Sequence, residues 1–211
     1  MSGAEELILR RLLTAIEGDA GVSQRRLSVD MGIAVGSVNW YLKRCLNKGF
    51  IKLKHAPVKR YLYYLTPKGL EEKARLTGAF LQQSLELYRL GRQECSEFVR
   101  ACVAEGKLCI FLAGDSDLAE IACISGLGTP LRIKAVIDET RERASCVDTP
   151  VYRTLVEAIA ETGKQPDVIL LTNVSKPERC YNALAAQVQE AGLPPHIIHV
   201  LHLLNFKPAY K

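Results

Sequence analysis

Residues 23–66 read SQRRLSVDMGIAVGSVNWYLKRCLNKGFIKLKHAPVKRYLYYLT, and the punctuation in this stretch decides the fold of the first half of the chain. Ser23 is placed to cap a short helix, SQRRLSVDM, whose Leu27 and Met31 fall on one face. Gly32 makes the turn. A third helix is expected from about Val35 to Lys48, because Val35, Val38, Leu42 and Cys45 recur at helical spacing, and Gly49 closes it. Two helices joined by a tight glycine turn form a helix-turn-helix pattern, which many small helical domains share. The flanks narrow it. FIKLKHA and RYLYYLT are strand-like runs around Pro57-Val58-Lys59-Arg60, a β-hairpin with a basic tip. Upstream, EELILRRLLTAI at 5–16 carries Leu7, Ile8, Leu12, Leu13 and Ile16 as an apolar stripe, ended by Gly18-Asp19-Ala20-Gly21. Three helices and a hairpin make a winged helix-turn-helix, the architecture that presents its third helix to the major groove of duplex DNA.

With Val38, Leu42 and Cys45 spent on the core, the outward positions of that third helix are Gly36, Ser37, Asn39, Trp40, Lys43 and Arg44. Gly36 lets the helix start approach closely. Ser37 suits a phosphate or a base edge, and Asn39 carries the donor–acceptor pair that matches adenine. Lys43 and Arg44 suit phosphates, which supply affinity without sequence information. Trp40 has two outlets, packing under the helix or lying against a thymine methyl. In the hairpin, Lys52, Lys54, His55, Lys59 and Arg60 add a basic edge. The whole chain of 211 residues carries a formal charge of +5, unevenly spread. Residues 1–90 hold 15 Lys and Arg against 8 Asp and Glu, while residues 91–211 hold 13 against 15. A basic first part beside a mildly acidic second part fits a polyanion-binding module with a non-binding companion.

Thr66-Pro67 opens a long helix, with Thr66 as N-cap and Pro67 in the first turn. Leu70, Ala74, Thr77, Leu81 and Tyr88 repeat along it, broadened by Leu76, Phe80, Leu85 and Leu87. One small winged domain cannot bury all of these, so self-association is the natural outlet. Packing against the second domain is the alternative. The stretch SQRRLSVDMGIAVGSVNWYLKRCLNKGFIKLK, followed by YLYYLTPKGLEEKARLTGAFLQQSLELY, resembles MarR-type winged-helix regulators, and more narrowly a group associated with exopolysaccharide gene clusters. That resemblance covers roughly residues 5–90 and implies a homodimeric, operator-binding transcriptional regulator. One departure is Ala34, where such helices usually begin with a capping Ser, Thr or Asp.

Beyond Gly91, a helix around Glu94–Ala104 leads into alternating patterns. The strands are KLCIFLAG, LRIKAVIDE, PDVILLTN and HIIHVLHLL, and the helices DSDLAEIACISGLG, TPVYRTLVEAIAETG and KPERCYNALAAQVQEAG. Continuous apolar strands alternating with helices predict a parallel sheet of about four strands covered on both faces. The chain is therefore expected to be α/β in two domains: a winged helix at 1–66, linking or dimerisation helices at 67–104, and a small Rossmann-like regulatory domain at 105–211. The segment KAVIDETRERASCVDTPVYRTLVEAI with PDVILLTN resembles the Rossmann-type domains of polysaccharide-biosynthesis and sugar-modifying proteins. No catalytic motif is present to receive a role from that resemblance.

Ligands of such sheets sit at the carboxyl ends of the strands. The candidates there are Gly114, Asp115, Ser116, Asp138 and Asn173. A dinucleotide site would show G-x-G-x-x-G in the first loop; only Gly114 fits, and Asp115 and Asp117 add charge that opposes a pyrophosphate. Asp138 stands where an acidic residue meets ribose hydroxyls, so a sugar-like ligand stays open. His196, His199 and His202 form H-x-x-H-x-x-H, but odd spacing on a strand points neighbours to opposite faces, so no metal site is expected. Seven cysteines, odd in number, scattered and without C-x-x-C, give neither a disulfide framework nor a zinc finger. No G-x-S-x-G, P-loop or carboxylate pair marks an enzyme. The N-terminus lacks a signal-peptide hydrophobic region and no apolar run nears the roughly 20 residues of a membrane span, so a cytoplasmic protein is expected. The leading expectation is a regulator that binds double-stranded DNA as a homodimer, controls polysaccharide-related genes, and answers to a small-molecule effector; no cofactor is named. The alternatives are a redox repressor binding NAD(H), or a nucleotide-sugar enzyme with an accessory winged helix.

Overall fold

The computed structural model describes residues 3–56 and 60–205, and at 55, 56 and 60 the backbone alone. The chain divides into two units, Met1–Leu85 and Glu86–Lys211.

The first unit holds α1 (Gly3–Gly18), α2 (Gln24–Met31), α3 (Val35–Asn47), the hairpin of β1 (Ile51–Ala56) and β2 (Arg60–Leu65), and the start of α4 (Pro67–Ala104). The Ser23 hydroxyl accepts from the Arg26 N–H at 3.1 Å, capping α2. At the end of α3 the Gly49 and Phe50 N–H groups donate to Leu46 and Cys45, a Schellman closure. Leu9, Leu12, Leu13 and Ile16 of α1 pack with Leu27, Val38, Leu42 and Ile51 into one core. Of the expected stripe, Ile8 packs half-buried against this core and Leu7 is exposed, while Leu9, outside the expected set, is buried. On α3, Val35 is 45% exposed as the first residue of the helix, and Tyr41 is buried in its stead.

The junction into α4 is tight. The Thr66 N–H donates to the Phe50 carbonyl (3.0 Å), and its hydroxyl donates to Gly49 (2.5 Å) and accepts from Gly69 (3.0 Å). A Cβ at Gly69 would stand 1.9 Å from the Phe50 carbonyl oxygen. Only glycine lets the first turn of α4 rest on the backbone that leads into β1.

In the second unit, β3 (Cys109–Ala113), α5 (Asp117–Gly126), β4 (Arg132–Ile137), β5 (Ser145–Cys146), β6 (Thr149–Tyr152), α6 (Leu155–Thr162), β7 (Val168–Leu171), α7 (Pro177–Glu190) and β8 (Ile198–Val200) build one six-stranded sheet. Its order is β5-β6-β4-β3-β7-β8, parallel except where β5 folds back on β6. Alternate residues serve opposite faces. Ile110 and Leu112 pack with α5 and the Cys95–Cys102 end of α4, and Phe111 and Ala113 pack with α6 and α7.

Two expectations need correction. The sheet has six strands, not four, and TPVY opens no helix: Thr149–Tyr152 is a strand beside β4. The helix starts at Leu155, where the Thr154 hydroxyl accepts from the Glu157 N–H at 3.2 Å. Pro150 and the β-branched Val151 suit an extended segment, and Thr-x-x-Glu is the true helix start. All seven cysteines are free thiols. Burial pushes Cys95 and Cys146 up to about 12, so these two are poor nucleophiles.

Candidate functional site

The outer face of α3 is built by subtraction. Val38, Tyr41, Leu42 and Cys45 point into the core, which leaves Ser37, Asn39, Trp40 and Lys43 in solvent. Trp40 takes the surface outlet. It is 52% exposed, edge-on to Tyr41 with ring centroids 4.9 Å apart. Arg44 is half-buried and shared: its guanidinium carbon lies 5.1 Å from the Trp40 ring centre, and one of its nitrogens 3.7 Å from a Glu5 oxygen. Arg44 thus steadies Trp40 and α1 as much as it offers charge outward.

Ala34 makes no side-chain cap, and among the described residues the N–H groups of Val35 and Gly36 have no partner. Uncapped N–H groups at a recognition-helix start suit a backbone phosphate, which explains how an alanine is tolerated there. Two further apolar side chains are exposed: Val29 (76%) on α2, which sequence reasoning passed over, and Val35 at the start of α3, which it had assigned to the core. Val29 is a β-branched residue outside the core period of its helix, and thymine methyl groups are the chemistry that exposed valines fit.

In the hairpin, Lys52 pairs across the strands with Tyr64, and Lys54 with Leu62. Both lysines are exposed, with the Lys54 ammonium 5.3 Å from the Tyr64 ring centre. The opposite face carries Ile51 and Tyr63 into the core, so the hairpin presents one lysine-bearing face. Of the two tip residues, Lys59 lies outside the described residues and Arg60 is placed by its backbone as the first residue of β2.

The second unit has a cavity of about 330 Å³ at the carboxyl ends of β3, β4 and β7. The chain reverses direction across the sheet between β3 and β7, where open α/β sheets bind ligands. Of the five candidates, Asp115, Asp138 and Asn173 line it, Gly114 and Ser116 sit in the adjoining loop, and much of their bonding capacity serves the loops. Gly114, at φ +106°, touches the Asn173 backbone; a Cβ there would sit 2.6 Å from it. The Ser116 hydroxyl accepts from the Leu118 and Ala119 N–H groups and donates to the Thr172 carbonyl at 2.6 Å. Asp115 forms a two-pronged pair with Arg143, both contacts 2.6 Å. The Asp138 carboxylate accepts from the N–H of Asp115 (2.9 Å) and from the N–H and hydroxyl of Thr140. Burial alone would raise its pKa, but these donors outweigh it and hold Asp138 below the usual carboxylate range. Asn173 accepts the Lys176 N–H on its Oδ1.

Sequence reasoning missed the other wall. Lys176, Arg179, Cys180, Ala183, Leu184 and Gln187 reach the cavity from α7 and its approach, because the sheet brings that helix over the end of β3. Among the described residues no three His, Cys, Asp or Glu side chains form a group that could hold a metal ion.

Residues 6–52 match the family described as winged helix-turn-helix DNA-binding. No curated protein resembles the chain closely enough to count as a match. The match covers α1 to the start of β1, the elements that display Ser37, Asn39, Trp40 and Lys43. The first unit is a winged helix-turn-helix DNA-binding domain, and among the described residues no helix is long and apolar enough to cross a membrane.

Proposed function

We propose that this chain is a cytoplasmic transcriptional regulator of MarR type, not an enzyme, which binds operator DNA as a homodimer and carries a Rossmann-like effector domain. One observation carries the reading: a DNA-binding winged helix whose third helix turns Ser37, Asn39, Trp40 and Lys43 to solvent beside a lysine-bearing hairpin. Homodimerisation is supported by α4. Leu70, Ala74, Thr77, Leu81 and Leu85 repeat at spacings of three and four and all are exposed, Leu81 at 56%. A stripe of that kind suits a coiled-coil seam between two copies. Two copies would then meet a pseudo-palindromic site, and the resemblance to exopolysaccharide-associated regulators suggests polysaccharide-related genes as targets.

The strand order β6-β4-β3-β7-β8 follows the Rossmann sequence 3-2-1-4-5. Against NAD(H) stands Ser116, which occupies the second glycine position of G-x-G-x-x-G. Its hydroxyl already takes the α5 N–H groups that a pyrophosphate would use. The test is fluorescence anisotropy on DNA from upstream of the chain's own gene, against random duplex. Asn39→Ala is expected to cost roughly 1–3 kcal/mol on the selected site and little on random DNA. Equal losses on both would remove Asn39 from base reading, and absence of any DNA binding would defeat the proposal.

A further inference from the structure

The cavity of the second unit has two chemically opposed walls. From the β4 end come Glu139 and Glu142, and from α7 and its approach come Lys176 and Arg179. Among the described residues none of these four is in an ion pair. Their neighbours are already satisfied: Asp115 and Glu120 are both matched by Arg143, Glu157 by Arg141, and Asp138, which has no cation partner among the described residues, by the Asp115 N–H and the Thr140 N–H and hydroxyl. Opposite charges that line one cavity yet stay apart leave room for a molecule that meets both. Two amides add donors. Asn173 uses its Oδ1 on the Lys176 N–H, and Gln187 uses its Oε1 on the Leu155 N–H (2.7 Å), so each keeps its amide nitrogen free of protein partners among the described residues. Ala113, Ile137, Ala183 and Leu184 supply an apolar floor.

Size and charge narrow the occupant. At about 330 Å³ the cavity stands at the low end of the range for ligand pockets. That suits a monosaccharide derivative. Two unpaired cations on one wall match the nearly double negative charge of a phosphate monoester better than a single carboxylate. Two unpaired carboxylates on the other wall accept hydroxyl protons.

We propose that this cavity binds a phosphorylated polyol of monosaccharide size, its phosphate held by Lys176 and Arg179 and its hydroxyls by Glu139, Glu142 and the amides of Asn173 and Gln187. The assignment rests on reading the second unit as an effector domain and names the effector's class.

Calorimetry on the full chain with glucose 6-phosphate, ribose 5-phosphate and glycerol 3-phosphate tests it. Glucose, gluconate, inorganic phosphate and NADH serve as comparisons. At least one of the three phosphorylated polyols is expected to bind at about 1 mM or tighter. Glucose and inorganic phosphate should bind at least tenfold more weakly. Lys176→Gln with Arg179→Gln should weaken the phosphorylated ligand roughly ten- to a hundredfold. Glu142→Gln should weaken it less and leave inorganic phosphate unchanged. Binding of none of the three, tighter binding of gluconate or NADH, or indifference to the double substitution in a protein that still melts cooperatively overturns the assignment. DNA titration of the same preparation separates the two readings. A protein that binds DNA but no phosphorylated polyol loses this inference and remains a regulator. One that binds the polyol but no DNA keeps the cavity assignment and loses the regulator.

Discussion

Two glycines nine residues apart in one helix should respond to the same substitution with opposite signs. At Gly69 a Cβ would stand 1.9 Å from the Phe50 carbonyl oxygen and 2.8 Å from its carbon. That is about 1.4 Å inside the closest ordinary C···O approach. The obstruction is backbone, and it cannot move freely, because the same carbonyl accepts the Thr66 N–H that seats α4. Overpacking of this kind costs about 1–3 kcal/mol, and the strained Thr66 hydrogen bonds add about 0.5–1.5 kcal/mol each. Higher helix propensity returns about 1 kcal/mol. Gly69→Ala is therefore expected to destabilise the first unit by about 2–4 kcal/mol. At Gly78 an added Cβ meets nothing within 4 Å, so Gly78→Ala should gain close to the full propensity term, about 1 kcal/mol. The chain has one tryptophan, Trp40, and it lies in the first unit, so its fluorescence follows that unit's melting. The expected shift for Gly69→Ala is a fall of roughly 10–25 °C, against a small rise for Gly78→Ala at matched concentration. A Gly69→Ala protein that melts at or above the parent temperature would refute the close contact between α4 and the strand entry.

Val147 and Asp148 join β5 to β6 with φ of +47° and +62°, a left-handed pair in which a β-branched residue is out of place. Val147→Asn should stabilise the second unit by about 1 kcal/mol, read as a higher denaturation midpoint; a lower midpoint would show that the valine's contacts outweigh its strain. Removing Lys43 and Lys54 together should flatten the dependence of DNA affinity on salt by about one unit per lost phosphate contact, and an unchanged slope would take both off the interface. Asp138, held below the usual carboxylate range, contributes stability that is complete above its unfolded pKa of about 3.9 and is lost as pH falls through the lower folded value. Urea midpoints from pH 6 downward should therefore drop less steeply in Asp138→Asn than in the parent, and parallel curves would contradict that.

Much of the first unit was legible because its signals are local. Ser23, Gly49 and Thr66-Pro67 each act within a few residues through a cap or a backbone angle, and the structure uses all of them. The apolar strands of the second unit were legible for a similar reason: a run buried on both faces has few other places to go. TPVY misled because a short extended segment and a helix start share Thr and Pro. Only its pairing with β4 decides between them, and that pairing bridges the whole 138–148 excursion.

The candidate sites divide along the same line. Ser37, Asn39 and Lys43 could be placed outward from helical period alone, since the core residues of α3 already fix its rotation. Whether Trp40 packs inward or stays in solvent was not decidable from period, because it depends on Arg44, Glu5 and α1 meeting α3. At the sheet's carboxyl end the sequence marks Gly114, Asp115, Ser116, Asp138 and Asn173 as a group of polar loop residues. Only tertiary structure shows Asp115 spent on Arg143, 28 residues away, and Ser116 spent on Thr172, 56 residues away. It also brings Lys176 and Arg179 to the same cavity. Sequence determines what each residue can bond; which of those bonds the protein keeps for itself, and which it leaves open to a ligand, is set by contacts between segments far apart in the chain, and these exist only once the sheet has formed.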